Sequence, residues 1–256
     1  MTMFCDVQKE GALLVVTMNN PEKLNALGPT SHEEMASIFN DFEDDPKLSV
    51  AILTGAGRAF CSGSDISAYV AGTNKPLPPE GGGGLTHNHR LSKPVIAAVN
   101  GLAMGGGCEI ALSCDMLVAS ENAYFGLPEP LVGAAALGGG LIQICRKLPY
   151  SVAMKVILTG DRLSAEEALR YGLISEVAPE GGALDAARKL AKRIMRCSPV
   201  ALSATRQMAR LALSGMPTAE IEKIEENVRA KVMASDDFKE GMAAFLDRRE
   251  PVWTGH

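Results

Sequence analysis

The sequence predicts a mixed α/β fold followed by an all-helical tail. Three observations carry this. Apolar runs rich in β-branched residues (ALLVVTM from Ala12, VAILTG from Val50, PVIAAVNG from Pro94 and MLVAS from Met116) show no polar alternation. Such runs suit strands covered on both faces. The segments between them supply helical spacing for crossover connections. Near residue 190 the strand signals stop and only helical periodicity remains. The expected division is therefore residues 1–190 as an α/β core and 191–256 as a helical region. At 256 residues the chain can bury roughly three-quarters of its unfolded surface, so a core needs neither disulfide nor metal.

Taken in order, the first strand stops at Asn19-Asn20-Pro21, and residues 31–42 read as an amphipathic helix with Met35, Ile38, Phe39 and Phe42 on one face. The stretch from 68 to 93 holds Pro76, Pro78, Pro79 and four glycines, Gly81 to Gly84, and reads as a mobile loop. His87 and His89 within it read as exposed loop residues, and no third ligand for a metal is evident. Ser164-Ala165-Glu166-Glu167 opens a short helix as a capping box. Residues 183–196, 199–213, 218–233 and 236–248 read as four further helices. The cations Arg188, Lys189, Lys192, Arg193 and Arg196 give one of these a solvated basic face.

Lys plus Arg is 25 against 30 for Asp plus Glu, a net charge of −5, which argues against a protein built to coat nucleic acid or an anionic membrane. The six cysteines form no C-x-x-C pair and read as buried hydrophobes of a reducing compartment. No leader pattern or apolar run of membrane-spanning length is present, so the expected location is cytoplasmic.

Two segments do not read as ordinary packing: GRAFCSGSDI (57–66) and NGLAMGGGCEIALSCD (100–115). Gly105, Gly106 and Gly107 are costly at a helix start unless the backbone approaches something closely. The first N–H groups of a helix lack internal partners and sit at its positive end, where an oxygen gaining negative charge is stabilised. Neither G-x-x-x-x-G-K nor G-x-G-x-x-G occurs here, which disfavours a nucleotide phosphate loop. Glu109 is the only formally charged residue between Lys93 and Asp115. Glu129, held between Pro128 and Pro130, is the only one between Glu121 and Arg146. Carboxylates in runs this apolar are expected to be partly desolvated, with pKa raised toward acid/base use. Two of them beside a glycine-rich helix start point to proton transfer at a carbon next to a carbonyl.

These residues resemble the enoyl-CoA hydratase/isomerase (crotonase) family. The likeness begins at NNPEKLNAL, passes through the two segments above, continues in FGLPE and TGDRLSAEEALRYGLISEVAP, and closes with EGMAAFLDRREPVW. It implies a spiral of ββα units with a C-terminal helical trimerisation region, and thus a homotrimer or dimer of trimers. It implies a thioester carbonyl held by the backbone N–H groups of Ser64 and Gly106, with Glu109 and Glu129 as the catalytic pair that adds water across the 2,3 double bond of a 2-enoyl-CoA. Relatives that isomerise double bonds typically need only the second glutamate, so the pair favours hydration, with isomerisation or a specialised dehydration as the alternative. Coenzyme A enters as part of the substrate, and neither a separate cofactor nor a metal is implied. Lys23 and Leu24, with Ser62, Gly63, Asp65 and Ile66, are the implied coenzyme A contacts. Phe245 and Arg248 are implied to reach a neighbouring subunit's site. Leu137 stands where hydratases use a glycine N–H to hold water, and its side chain is expected to reshape the pocket. Relatives that bind RNA do so through a lysine-rich helix. The corresponding residues here include Glu33, Glu34, Asp41, Glu43, Asp44 and Asp45, so no nucleic-acid partner is expected.

Overall fold

The computed structural model describes residues 3–256. Strands β1 (Cys5–Glu10) and β2 (Leu13–Met18) pair antiparallel through a tight turn at Gly11, whose φ of +63° favours glycine. Strands β3 (Val50–Gly55), β5 (Val95–Val99), β7 (Met116–Ser120) and β10 (Glu176–Ala178) extend this sheet in parallel, giving the order β1-β2-β3-β5-β7-β10. A second sheet aligns β4 (Ala59–Cys61), β6 (Leu102–Met104) and β8 (Tyr124–Gly126) in parallel, and β9 (Leu163–Ser164) closes it antiparallel.

The chain visits the two sheets in rotation. β3 leads to β4 and then helix α2 (Ile66–Val70), and β5 leads to β6 and then helix α3 (Gly106–Ser113). β7 leads to β8, a 3-10 turn at Glu129–Val132, and helix α4 (Gly140–Lys147). These are successive ββα turns of a spiral, and the first residues after β4, β6 and β8 emerge at the same end of the small sheet. The sequence carries no repeat to announce this, because what recurs is strand placement rather than residue identity.

The absence of alternation in the main strands has its cause here. Leu14, Val16, Ala51, Leu53, Ala97 and Val99 face one core cluster, and their neighbours Leu13, Val15, Val50, Ile52, Ile96 and Ala98 face another. The second cluster is covered by helix α7 (Ala183–Ile194) through Ala183, Ala186, Ala187 and Ala191, a stripe of small residues that brings the helix close to the sheet. Helix α1 (Ser31–Asp44) buries Met35, Phe39 and Phe42 on the opposite side, as its periodicity predicts.

The segment expected to be a mobile loop divides: residues 70–77 are exposed, and the part from Gly81 on is packed. Gly81 to Leu85, Asn88 and Leu91 are buried, and a side chain on Gly84 would meet the backbone of Ala36 at 2.5 Å. The glycines thus serve close approach to α1. His87 and His89 are exposed, and among the described residues no group of three metal-ligating side chains occurs.

Helices α5 (Tyr150–Thr159) and α6 (Ala165–Arg170) follow, the latter opened by the Ser164/Glu167 capping box. The tail comprises α8 (Pro199–Ala212), α9 (Thr218–Ala234) and α10 (Asp236–Asp247). An ion pair ties it to the body, and a buried carboxylate joins its own segments. Arg206 on α8 pairs with Asp115 at 2.8 Å. Asp237, 2% exposed, accepts from Ser198 Oγ at 2.8 Å and from the N–H groups of Thr254 and Gly255 at 2.8 and 3.1 Å. α8 and α9 bury no residue within one chain, and Phe245, Leu246 and Val252 are exposed. The cysteines are free, and burial pushes Cys61, Cys108 and Cys114 up to about 12. No helix among the described residues is long and apolar enough to cross a membrane.

Candidate functional site

The first spiral turn places Ser64 three residues beyond β4. Gly63, at φ +99°, turns the chain there, and a side chain on it would come within 2.9 Å of the Met104 carbonyl and 3.1 Å of the Gly106 nitrogen. The second turn delivers Gly106 as the first residue of α3. A Cβ on Gly106 would lie 3.7 Å from the Ser64 nitrogen, so the two backbone segments are neighbours. Around them Leu27 N–H donates to the Gly63 carbonyl and Asp65 N–H to the Leu27 carbonyl. The N–H groups of Ser64 and Gly106 themselves have no protein acceptor among the described residues. At Gly106 this follows from its place at a helix start.

Glu109 lies one turn into α3 and is 9% exposed. Its Oε1 accepts the Gly140 N–H at 2.9 Å. Burial holds its pKa above the ordinary carboxylate range, and the N–H groups of Gly140 and Gly138 pull it partly back. A side chain at either position would displace the Glu109 carboxyl from this place. A Cβ at 138 would sit 2.8 Å from Glu109 Oε2, and one at 140 would sit 2.7 Å from its Cγ.

The third turn brings Glu129, the first residue of the 3-10 turn, against Gly105, where a Cβ would lie 3.2 Å from Glu129 Oε1. Its other oxygen, Oε2, is buried with no hydrogen-bond partner. Burial raises its pKa, and the charge of Glu109 raises it further. A buried oxygen without a protein partner, on a carboxyl that favours its proton, forms a site ready to exchange a proton with something not belonging to the protein. Ser64, Gly106, Glu109 and Glu129 are thus brought together from three turns, linked through Gly63 and Gly105.

The remaining predicted residues divide. Lys23 and Leu24 lie beside Ser62, Gly63 and Asp65. Ser62 N–H donates to the Leu24 carbonyl at 3.0 Å, and Lys23 Nζ pairs with Asp65 at 3.1 Å. Ile66 begins α2 and is exposed. Leu137 is 79% exposed, and its N–H is taken by the Ala135 carbonyl at 2.9 Å, so the N–H groups that reach Glu109 come from Gly138 and Gly140 instead. Phe245 and Arg248 lie at the end of α10, Phe245 82% exposed, and nothing joins them to the site within one chain.

Sequence reasoning passed over Asn25. It is fully buried in a left-handed conformation at φ 56°, and its Nδ2 donates to the carbonyls of Ala56, Ala59 and Phe60 while Oδ1 accepts from Asn20 N–H. It fastens the 20–27 segment to the end of β3 and to β4, and so fixes the loop carrying Ser64. The available signal was an Asn in a turn, a residue that tolerates this backbone better than most.

The arrangement matches known proteins over its whole length. Residues 8–256 match the enoyl-CoA hydratase/isomerase family. A carnitinyl-CoA dehydratase from Escherichia coli K12 is 39% identical over 254 residues, covering 96% of this chain and 97% of the relative. The crystal structure of an enoyl-CoA hydratase from Mycobacterium tuberculosis H37Rv superposes with a TM-score of 0.95 at 38% identity, covering 100% of both chains. One from Mycobacterium marinum gives 0.95 at 37% identity, also covering 100% of both. With the spiral of ββα turns, the glycine-started helix and a full-length match in agreement, the chain belongs to the enoyl-CoA hydratase/isomerase family.

Proposed function

We propose that the protein is an enoyl-CoA hydratase that adds water across the 2,3 double bond of a 2-enoyl-CoA thioester. The observation that carries the reading is the pairing of a buried and a half-buried carboxyl group, both of raised pKa, with two unpaired N–H groups on adjoining backbone. The thioester oxygen accepts from the N–H groups of Ser64 and Gly106, which stabilise the charge it gains as an enolate forms. Glu109 takes a proton from water as its oxygen bonds to Cβ, and Glu129 delivers a proton to Cα. The electron pair of the double bond passes through the enolate and ends in the new C–H bond. Coenzyme A lies along Lys23, Leu24 and residues 62–66, and enters as substrate.

In this reading Phe245 and Arg248 complete the site of an adjoining subunit in a trimer, Arg248 offering its charge to phosphate. The presence of Glu109 favours hydration over isomerisation. The likeness to a carnitinyl-CoA dehydratase supports a second reading, dehydration of a 3-hydroxyacyl-CoA, which is the same chemistry run backwards. Turnover on short, long, branched and aromatic 2-enoyl-CoA thioesters and on their 3-hydroxyacyl counterparts tests both. Hydration of at least one enoyl thioester is expected. Double-bond migration without net addition of water would overturn the proposal.

A further inference from the structure

His32, the second residue of α1, lines a small open pocket with Leu27, Ser64, Ala68, Lys75 and Leu77. Its Nδ1 accepts the backbone N–H of Gly83 at 3.0 Å. An amide N–H only donates, so Nδ1 carries no hydrogen and the ring is the neutral tautomer with its hydrogen on Nε2. Burial lowers the pKa of the ring and supports that form. Nε2–H finds no protein acceptor among the described residues, and neither does the hydroxyl of Ser64 on the same lining. The charges nearby are matched to one another, Lys75 with Glu33 at 3.2 Å and Lys23 with Asp65 at 3.1 Å. Leu27, Pro29, Ala68 and Leu77 supply the apolar lining, and Asn74 adds a neutral amide at the rim.

A hydrocarbon chain in this cavity would leave the imidazole donor facing carbon after its water is displaced, and a charged chain would meet no uncommitted counter-charge. A neutral oxygen satisfies the donor. We propose that His32 is a specificity-determining residue that selects 2-enoyl-CoA thioesters bearing a hydroxyl, keto or ether oxygen on the acyl chain, which accepts from Nε2–H. This rests on the reading above, in which the thioester oxygen is held at the Ser64 N–H, and it adds that the acyl chain runs from there past His32.

The test compares 2-hexenoyl-CoA with matched chains carrying a hydroxyl or ether oxygen at carbon 4, 5 or 6. For wild type, at least one oxygenated chain is expected to be preferred about tenfold in kcat/KM, the scale of one net hydrogen bond, with the change residing in KM. His32→Asn places an acceptor where Nδ1 meets Gly83 but removes the donor at the Nε2 position, and its preference ratio should fall to near one. His32→Gln restores a donor near Nε2 and should recover part of the ratio. A wild type that favours no oxygenated chain, or a His32→Asn variant that keeps the preference, overturns the proposal. The saturated thioesters of the same series are titrated calorimetrically in parallel. Binding that prefers oxygenated chains without any hydration would defeat the hydratase reading and leave His32 standing. Hydration and binding without preference would do the reverse, and no binding at all would defeat both.

Discussion

Glu109 and Glu129 carry the proton chemistry proposed here, and each is expected to lose about 10²–10⁴ in hydratase turnover as the Gln variant. Near-normal rates in either would remove that residue from the mechanism. The same change has a second consequence at Glu109. Its folded pKa lies above the ordinary value because burial disfavours the charge. The folded state therefore holds its proton more tightly than the unfolded one, and stability declines as pH rises from about the unfolded value of 4.5 through the raised folded value. Glu109→Gln escapes that decline, keeps an oxygen to accept from Gly140, and should gain on the order of 1 kcal/mol at pH 8. Thermal melts of both proteins at pH 8 and pH 4 read this directly, with the gain shrinking at the lower pH. The paired N–H groups make a different demand. Ser64→Ala keeps its backbone donor and should leave turnover within roughly tenfold, whereas Gly106→Pro deletes a donor and should cost on the order of 10²–10³ in trimeric, soluble protein. Equal damage from the two would make the Ser64 hydroxyl a reacting group. Both glutamates were legible in the sequence because a lone charge in an apolar run stands out. His32 and Asn25 were not, since their roles depend on Gly83 and on the Ala56–Phe60 carbonyls, 51 and more than 30 positions away.

Elements were legible in proportion to their length. The helices of the tail fall within about two residues of where periodicity placed them, because 12 to 17 residues give the pattern several turns to repeat. Strands β4, β6, β8 and β10 have three residues each and β9 two, too few to hold any period, and they form because the neighbouring turn supplies a ladder. The segment around Gly81–Gly84 read as loop because glycine and proline mark turns; its packing against α1 depends on a neighbour far along the chain. The tail's own cohesion rests on few polar contacts, so it is open to test. At Asp237 burial pushes the pKa up, but donation from Ser198, Thr254 and Gly255 outweighs it and leaves the carboxyl below its ordinary value of 3.8. Its stabilising effect is therefore complete above the unfolded pKa and is lost as pH falls through the lower folded one. Asp237→Ala should cost about 3 kcal/mol at pH 7, with Asp237→Asn costing less, and the difference from wild type should shrink toward pH 2. Urea midpoints at the two pH values measure it.

At the scale of the molecule, the exposed apolar residues are unevenly placed. Leu213, Met233, Met242, Phe245 and Leu246 are all more than half exposed and lie on the tail, while Leu131, Val132, Leu137 and Leu158 cluster around the third spiral turn and the helix that follows α4. Two such regions on one chain fit a heterologous contact that closes a ring. A mass near three or six times 27.0 kDa by light scattering is expected at micromolar concentration, and a 27.0 kDa species there would refute it. The spiral has a further consequence. Strands that adjoin in the large sheet, β2, β3, β5 and β7, also follow one another along the chain. Each turn can dock on a predecessor already made, so loop closure is short at every step and order can propagate as it does along a solenoid. The order of strands in space is thereby an order in time. Ser64 is set by the first turn, Gly106 and Glu109 by the second and Glu129 by the third. A nascent chain that has reached residue 130 already holds both proposed oxyanion donors and both glutamates, before the tail helices have been synthesised.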